Sequence, residues 1–284
     1  MKHFFALLAF LLFLFAGCAQ QEAPADIAAT TLPVYEFTSR LCEGTGITVT
    51  RLVTENVSCL HDYSLNVRQV RAAEAAELIV ISGAGLEDFM EDLLAEKTVI
   101  DSSVGIEALE AEHHHDHRHE TDSHIWLSPE NARQMASNIC VALSKQYPQH
   151  EASFEANLQT LIGDIDALQA YGDAQLADLK CRELITFHDG FAHLAEAFEL
   201  EILAAVEEES GSEASSGELK SLIQLVREHD LPAVFTERNG SVSAADIISA
   251  ETGVKIYTLD MAMSGDSWIA AMYQNIDTIK EALG

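Results

Sequence analysis

The stretch "FEANLQTLIGDIDAL", residues 154–168, decides how the rest of the chain is read. Phe154, Leu158, Leu161, Ile165 and Leu168 recur at spacings of four, three, four and three, which is the apolar stripe of a helix. Extended from Pro148 towards Leu179, the pattern predicts a helix of roughly 30 residues and about 45 Å. Upstream, Met135, Ile139 and Leu143 mark another helical piece, so residues 129–180 read as helix throughout. A rod of that length can join two lobes.

On both sides of the rod the pattern changes to alternating strands and helices. Before it come "DIAATTLPVYEFTSRLC" (a strand, a loop, a helix), the β-branched "ITVTRLV", the helix-like "LNVRQVRAAEAA", the apolar run "ELIVISG", the helix-like "GLEDFMEDLLAE" and "TVID". In the second of these helices, Val67, Val70 and Ala73 are expected to face inward. After the rod come "RELITFH", "LEILAAV", "GELKSLIQLVREHD" with Ser215 or Ser216 as cap, "LPAVFTE", "SAADIISAETG", "VKIYTLD" and a terminal helix. The fold class is therefore α/β: two lobes with mainly parallel sheets flanking a long backbone helix. The expected boundaries are residues 27–128 for the first lobe, 129–180 for the helical region and 181–284 for the second lobe.

The first 26 residues lie outside that fold. "MKHFFALLAFLLFLFAGC" has a short basic start, an apolar run of about a dozen residues and small residues before Cys18, the layout of an export signal. It resembles a bacterial lipoprotein signal (residues 1–17), cut before Cys18, although Phe15 stands where such signals usually carry Leu. Residues 18–26 then read as a tether to the outer face of the cytoplasmic membrane. Export places Cys42, Cys59, Cys140 and Cys181 in an oxidising compartment, where two disulfides are permitted. The pairs with shorter loops are Cys42–Cys59 and Cys140–Cys181; four free thiols are the other reading.

Asp and Glu outnumber Lys and Arg by 46 to 16, a net charge of −30. Such a field repels phosphate backbones, so nucleic acid is excluded as a partner, and it attracts cations. No Walker A string occurs, so the chain cannot power transport by itself.

Ligands of open α/β sheets bind beyond the carboxyl ends of strands. At or after those ends stand His61, His124, His188, Glu237 and Asp260. Three neutral imidazoles and one carboxylate make a donor set suited to tetrahedral zinc. Residues 110–123 hold a different feature. His113, His114, His115, His117 and His119 form a low-complexity composition that offers many weak, exchanging metal sites. A solvated loop without metal function is the bland alternative.

"SCLHDYSL", "HIWLSPENA", "ITFHDGFAHLAEAFEL", "FTERNGSVSAADIISAETG" and "YTLDMAMSGDSWIAAMYQNID" together resemble the metal-binding lipoproteins of zinc and manganese ABC importers. The likeness runs over nearly the whole chain after the tether. It implies two α/β lobes on a rigid helix with a metal site in the cleft between them. It also implies His61, His124, His188 and Asp260 as ligands, with Glu237 and Tyr63 close behind. His188 stands where manganese-type relatives usually carry glutamate, which favours Zn2+ as the transported ligand over Mn2+. Ser123 and Ser128 depart from the family's "DPHIWLDP", and His193 stands where relatives often carry an aromatic residue, as a packing or surface histidine. The implied partners are an ABC permease with its cytoplasmic ATPase, and the chain is expected to act as a monomer. A surface zinc-buffering or adhesion protein is the competing reading. A zinc hydrolase with Glu237 as general base is the least favoured, because four protein ligands leave no open position for water.

Overall fold

The computed structural model describes residues 25–57, 60, 63–107, 109, 121–206 and 214–284. The signal segment with Cys18, the histidines from His113 to His119, and also Cys59 and His61 lie outside the described residues.

The first lobe contains β1 (Ile27–Ala29), α1 (Leu32–Leu41), β2 (Val49–Arg51), α2 (Val67–Ala75), β3 (Leu78–Ile81), α3 (Glu91–Leu94) and β4 (Thr98–Asp101). Its four strands are parallel in the order β2-β1-β3-β4. Then come α4 (Pro129–Gln146) and the long α5 (Glu151–Leu176). The second lobe contains β5 (Glu183–Thr186), α6 (Ala192–Ala197), β6 (Glu201–Ala205), α7 (Ser216–Glu228), β7 (Ala233–Glu237), α8 (Ser243–Thr252), β8 (Lys255–Leu259) and α9 (Trp268–Leu283). Its sheet is again parallel, in the order β6-β5-β7-β8. The two lobes thus repeat one topology, and in each the chain reverses direction across the sheet between its first and third strands. Such a switch point opens a crevice at the carboxyl ends of the strands.

Local chemistry explains most of the boundaries. The Ser128 hydroxyl accepts from Asn131 N–H and Pro129 occupies the first turn, so α4 starts where its cap and its fixed φ require. Ser215 and Glu218 form a reciprocal capping box at the start of α7. Gly253 ends α8 in the left-handed region, at φ 79°. The rod is 26 residues, roughly 39 Å at 1.5 Å per residue, shorter than the pattern suggested. A 3-10 turn, Pro148–His150, precedes it in place of helix. Phe154, Leu161, Ile165, Leu168 and Leu176 are buried along it. This stripe packs against α1 of the first lobe and α9 of the second, so α5 does join the lobes.

Three expectations need correction. Val67 is 67% exposed, and the buried face of α2 carries Gln69 and Ala73. The Gln69 amide donates to Leu52 O at 2.9 Å and to Glu55 Oε2 at 2.8 Å, so a polar side chain occupies the inner face with its donors satisfied. The helix expected over "GLEDFMEDLLAE" divides into a 3-10 turn, Asp88–Met90, and the single turn of α3. Just ahead of it, the Glu87 carboxylate turns inward to the Ser82 and Gly83 N–H groups. Finally, Cys140 and Cys181 are free thiols, so the expected bridge between them is not formed. Cys140 is buried on α4, while the Cys181 thiol contacts Glu183 O at the start of β5. Cys42 is also free and buried.

The largest apolar core runs without a break from the first lobe through α4 and α5 into the second. Its interlobe seam is fixed by polar contacts as well. Trp126 Nε1 donates to Met261 O at 2.7 Å, and Trp268 Nε1 donates to Trp126 O at 3.1 Å. Phe37 meets the Trp268 ring edge-to-face at 4.9 Å. Across the same seam, the Glu36 carboxylate of α1 accepts from Trp268 N–H at 2.6 Å, at the start of α9.

Candidate metal centre

The site is assembled from segments that follow strands. Beyond β4, residues 122–124 lead into a 3-10 turn, Ile125–Leu127, ahead of α4. This places His124 at the foot of α4 with only 1% of its surface exposed. His188 follows β5 and is 5% exposed, while Glu237 ends β7 and is 6% exposed. His188 and Glu237 therefore flank the switch point of the second sheet, with His188 Nδ1 3.7 Å from Glu237 Oε2.

The His124 and His188 rings lie with centroids 5.2 Å apart and planes at 83°. Two imidazoles on one tetrahedral zinc, each with its nitrogen at about 2.0–2.1 Å, place their ring centres roughly 5 Å apart. The observed spacing fits that arrangement. Between them runs Gly190. A Cβ there would sit 2.7 Å from His124 Nδ1 and 2.8 Å from His188 Cδ2, so only a glycine lets the backbone pass so close to both rings.

Asp122 organises the pair, and sequence reasoning missed it. Its Oδ1 accepts from the His124 backbone N–H and from His124 Nδ1, each at 2.8 Å, and its Oδ2 accepts from Ala192 N–H at 3.2 Å. Burial opposes ionisation of this carboxyl. Hydrogen bonds from the His124 ring and backbone N–H, with the His193 ring nearby, outweigh it and hold the group down to about 2. Asp122 is therefore an acceptor, which makes Nδ1 the protonated nitrogen of His124 and leaves Nε2 to face a metal. The available signal was the turn itself: an Asp two residues before a His can bond that residue's backbone N–H. His193 is a buried packing residue, with Nε2 3.2 Å from Asp122 O and Nδ1 3.1 Å from Asn131 Nδ2. It ties the His124 segment to α6.

Asp260 follows β8 and is 8% exposed. Its backbone is clamped by Asn275, which accepts from Asp260 N–H at 2.8 Å and donates to Asp260 O at 2.7 Å. One carboxylate oxygen accepts from Ala262 N–H at 2.8 Å; the other lies 2.7 Å from Arg238 Nε. The next residue, Met261, receives the Trp126 indole, so the segments carrying Asp260 and His124 are in direct contact. Tyr63 lies further out. Its hydroxyl donates to Glu55 Oε2 at 3.0 Å and accepts from Gln69 Nε2 at 2.6 Å, and its ring meets Phe89. Among the described residues, no three metal-ligating side chains close on one point. The structure pairs His124 with His188 and His188 with Glu237, and places Asp260 with Arg238; His61, the remaining expected ligand, is outside the described residues.

Comparisons with known proteins show which family the fold and sequence resemble. The family model for ZnuA, the periplasmic component A of zinc-uptake complexes, matches residues 27–282. The zinc-binding lipoprotein AdcA of Streptococcus pneumoniae serotype 4 is 29% identical over 308 residues, covering 99% of this chain. The chain spans only 61% of that relative's length. The high-affinity zinc uptake system protein ZnuA of Bacillus subtilis is 26% identical, covering 96% of this chain and 94% of the relative. Among solved structures, a zinc-bound deletion mutant of ZnuA superposes with a TM-score of 0.80 at 29% identity, over 92% of this chain and 98% of that one.

Proposed function

The chain belongs to the ZnuA family of periplasmic zinc-uptake components, and on that premise we propose that it is an exported receptor that captures Zn2+ and delivers it to an ABC permease driven by a cytoplasmic ATPase. The observation that carries the reading is the His124–His188 pair, buried with ring centroids 5.2 Å apart, one ring just ahead of α4 and the other just beyond β5 of the second lobe. The ligand set we assign is His61, His124, His188 and Asp260. Three imidazoles with one carboxylate favour zinc over manganese, which takes harder oxygen donors.

Within the site the chain's own residues divide the work. Asp122 holds His124 in the tautomer that presents Nε2. Glu237 places negative charge beside His188 Nδ1. Gly190 keeps the two rings close, and the tryptophan seam holds the segments of the two lobes together. Four protein donors would complete the coordination and leave no place for an attacking water, so the role is binding and not hydrolysis. His113, His114, His115, His117 and His119 would add weak sites that pass zinc towards the cleft. Lipid on Cys18 would hold the receptor, as a monomer, at the outer face of the membrane. No helix among the described residues is long and apolar enough to cross one.

Elemental analysis after metal exchange, with competitive zinc and manganese titration of the stripped protein, tests the reading. One tightly held zinc per chain, preferred to manganese, is the expected result. Manganese retained in preference to zinc would overturn the assignment of cargo.

A further inference from the structure

We infer that Arg238 is a built-in competitor for the metal: its guanidinium occupies the Asp260 carboxylate and so limits how tightly the site holds its cation. The inference rests on the zinc-receptor reading and on Asp260 as a ligand, and extends both to release.

The ion pair is close, with Arg238 Nε 2.7 Å from Asp260 Oδ2. A carboxylate oxygen holds zinc at about 2.0–2.2 Å, so a metal sharing that oxygen would lie within roughly 5 Å of the guanidinium. Guanidinium keeps its charge throughout the physiological range. It cannot yield by losing a proton, so it must repel the cation or swing aside.

Orientation of Asp260 does not depend on this arginine. The Ala262 N–H fixes Oδ1, and Asn275, itself 1% exposed, clamps the backbone N–H and C=O of Asp260. What Arg238 adds is charge. The arginine side chain is also 46% exposed against 11% for the aspartate, so it is the mobile partner of the pair. A second resting place is within reach, since its Nη2 already donates to Gln274 Oε1 of α9 at 3.2 Å. In a chain with 46 acidic and only 16 basic residues, the cation placed on this carboxylate opposes the general attraction for metal. A receptor must surrender its cargo, and a resident cation that refills Asp260 as the metal leaves favours that step.

The test compares the metal-stripped wild-type protein with Arg238→Gln and Arg238→Lys, alone and with Asp260→Asn. Zinc affinity is read by competition with a chromophoric chelator, the dissociation rate by chelator chase, and the fold by thermal melting. Arg238→Gln is expected to bind zinc at least tenfold more tightly and release it correspondingly more slowly, while Arg238→Lys stays within about threefold of wild type. In the Asp260→Asn background, where no carboxylate is left to compete for, Arg238→Gln is expected to tighten zinc binding by less than threefold. Equal or weaker binding by a folded Arg238→Gln, while wild type binds zinc normally, would overturn the inference and leave the receptor reading standing. If the glutamine variant fails to fold, an Arg238→Lys protein that binds more than threefold tighter or weaker than wild type would overturn it too. Absence of zinc binding by wild type would remove the receptor reading itself, and this inference with it.

Discussion

His124 and His188 come from segments 64 residues apart in sequence, yet their rings stand edge to face with centroids 5.2 Å apart. Neither segment is free to drift. His124 is held through Asp122, which also accepts the Ala192 N–H of α6, and Trp126 is held by Met261. The pair is thus preorganised, and the following expectations probe how.

Asp122→Asn keeps the side-chain shape and removes the charge that selects the His124 tautomer. Zinc affinity should fall by about 10–100-fold, the usual loss when the residue orienting a metal-bound histidine is removed. Affinity within twofold of wild type would show that the His124 ring is oriented by packing alone.

Gly190→Ala tests the close approach. No left-handed backbone is involved, so the effect must come from the added methyl, which would press on His124 Nδ1 and His188 Cδ2. At 2.7 and 2.8 Å these contacts are shorter than a Cβ tolerates, so the rings or the backbone at residue 190 must shift. Zinc affinity is expected to drop by roughly tenfold or more while the melting temperature changes little, because the strain falls on the site. An unchanged affinity would mean that the rings yield without cost.

Trp126→Phe removes the indole donor and leaves Met261 O buried without that partner. The cost should be about 1–3 kcal/mol, seen as a lower midpoint in urea. Zinc binding should weaken as well, since Met261 adjoins Asp260. A stability loss below about 0.5 kcal/mol would show that water replaces the indole at the seam.

Glu87 should make stability depend on pH. Burial raises its carboxyl from 4.5 to about 7, against the opposing hydrogen bonds from Thr30, Ser82 and Gly83. A folded-state value above the unfolded one means that the folded protein binds more protons across that window. The associated stability is fully present below 4.5 and is lost as pH rises through about 7. The loss amounts to roughly 3 kcal/mol at most. Glu87→Gln cannot ionise, so its stability relative to wild type should improve between pH 5 and pH 8. Parallel stability curves for the two proteins would contradict this.

Much of the fold was legible because strands and helices of this class carry local signatures. The apolar runs of β3 and β7, the capped α7 and the stripe from Phe154 to Leu168 each announce their element without reference to the rest of the chain. What failed depends on partners distant in sequence. Gln69 is buried because Leu52 and Glu55 satisfy it, and no periodicity reveals that. The Cys140–Cys181 bridge was inferred from loop length, which says nothing of where α4 and β5 point the thiols. At the site, His188 was visible as a residue type just past a strand end, and His124 as part of the string that leads into α4. Asp122, Gly190 and Arg238 were not singled out, because their importance lies in what they touch: a ring nitrogen, two imidazoles and a carboxylate.

The most direct test is zinc stoichiometry and affinity, measured by elemental analysis and isothermal titration on wild type and on His124→Ala and His188→Ala. The account predicts one tight zinc in wild type and a loss of at least a hundredfold in affinity in each variant, with the fold retained. Tight one-to-one binding preserved in either variant would contradict it.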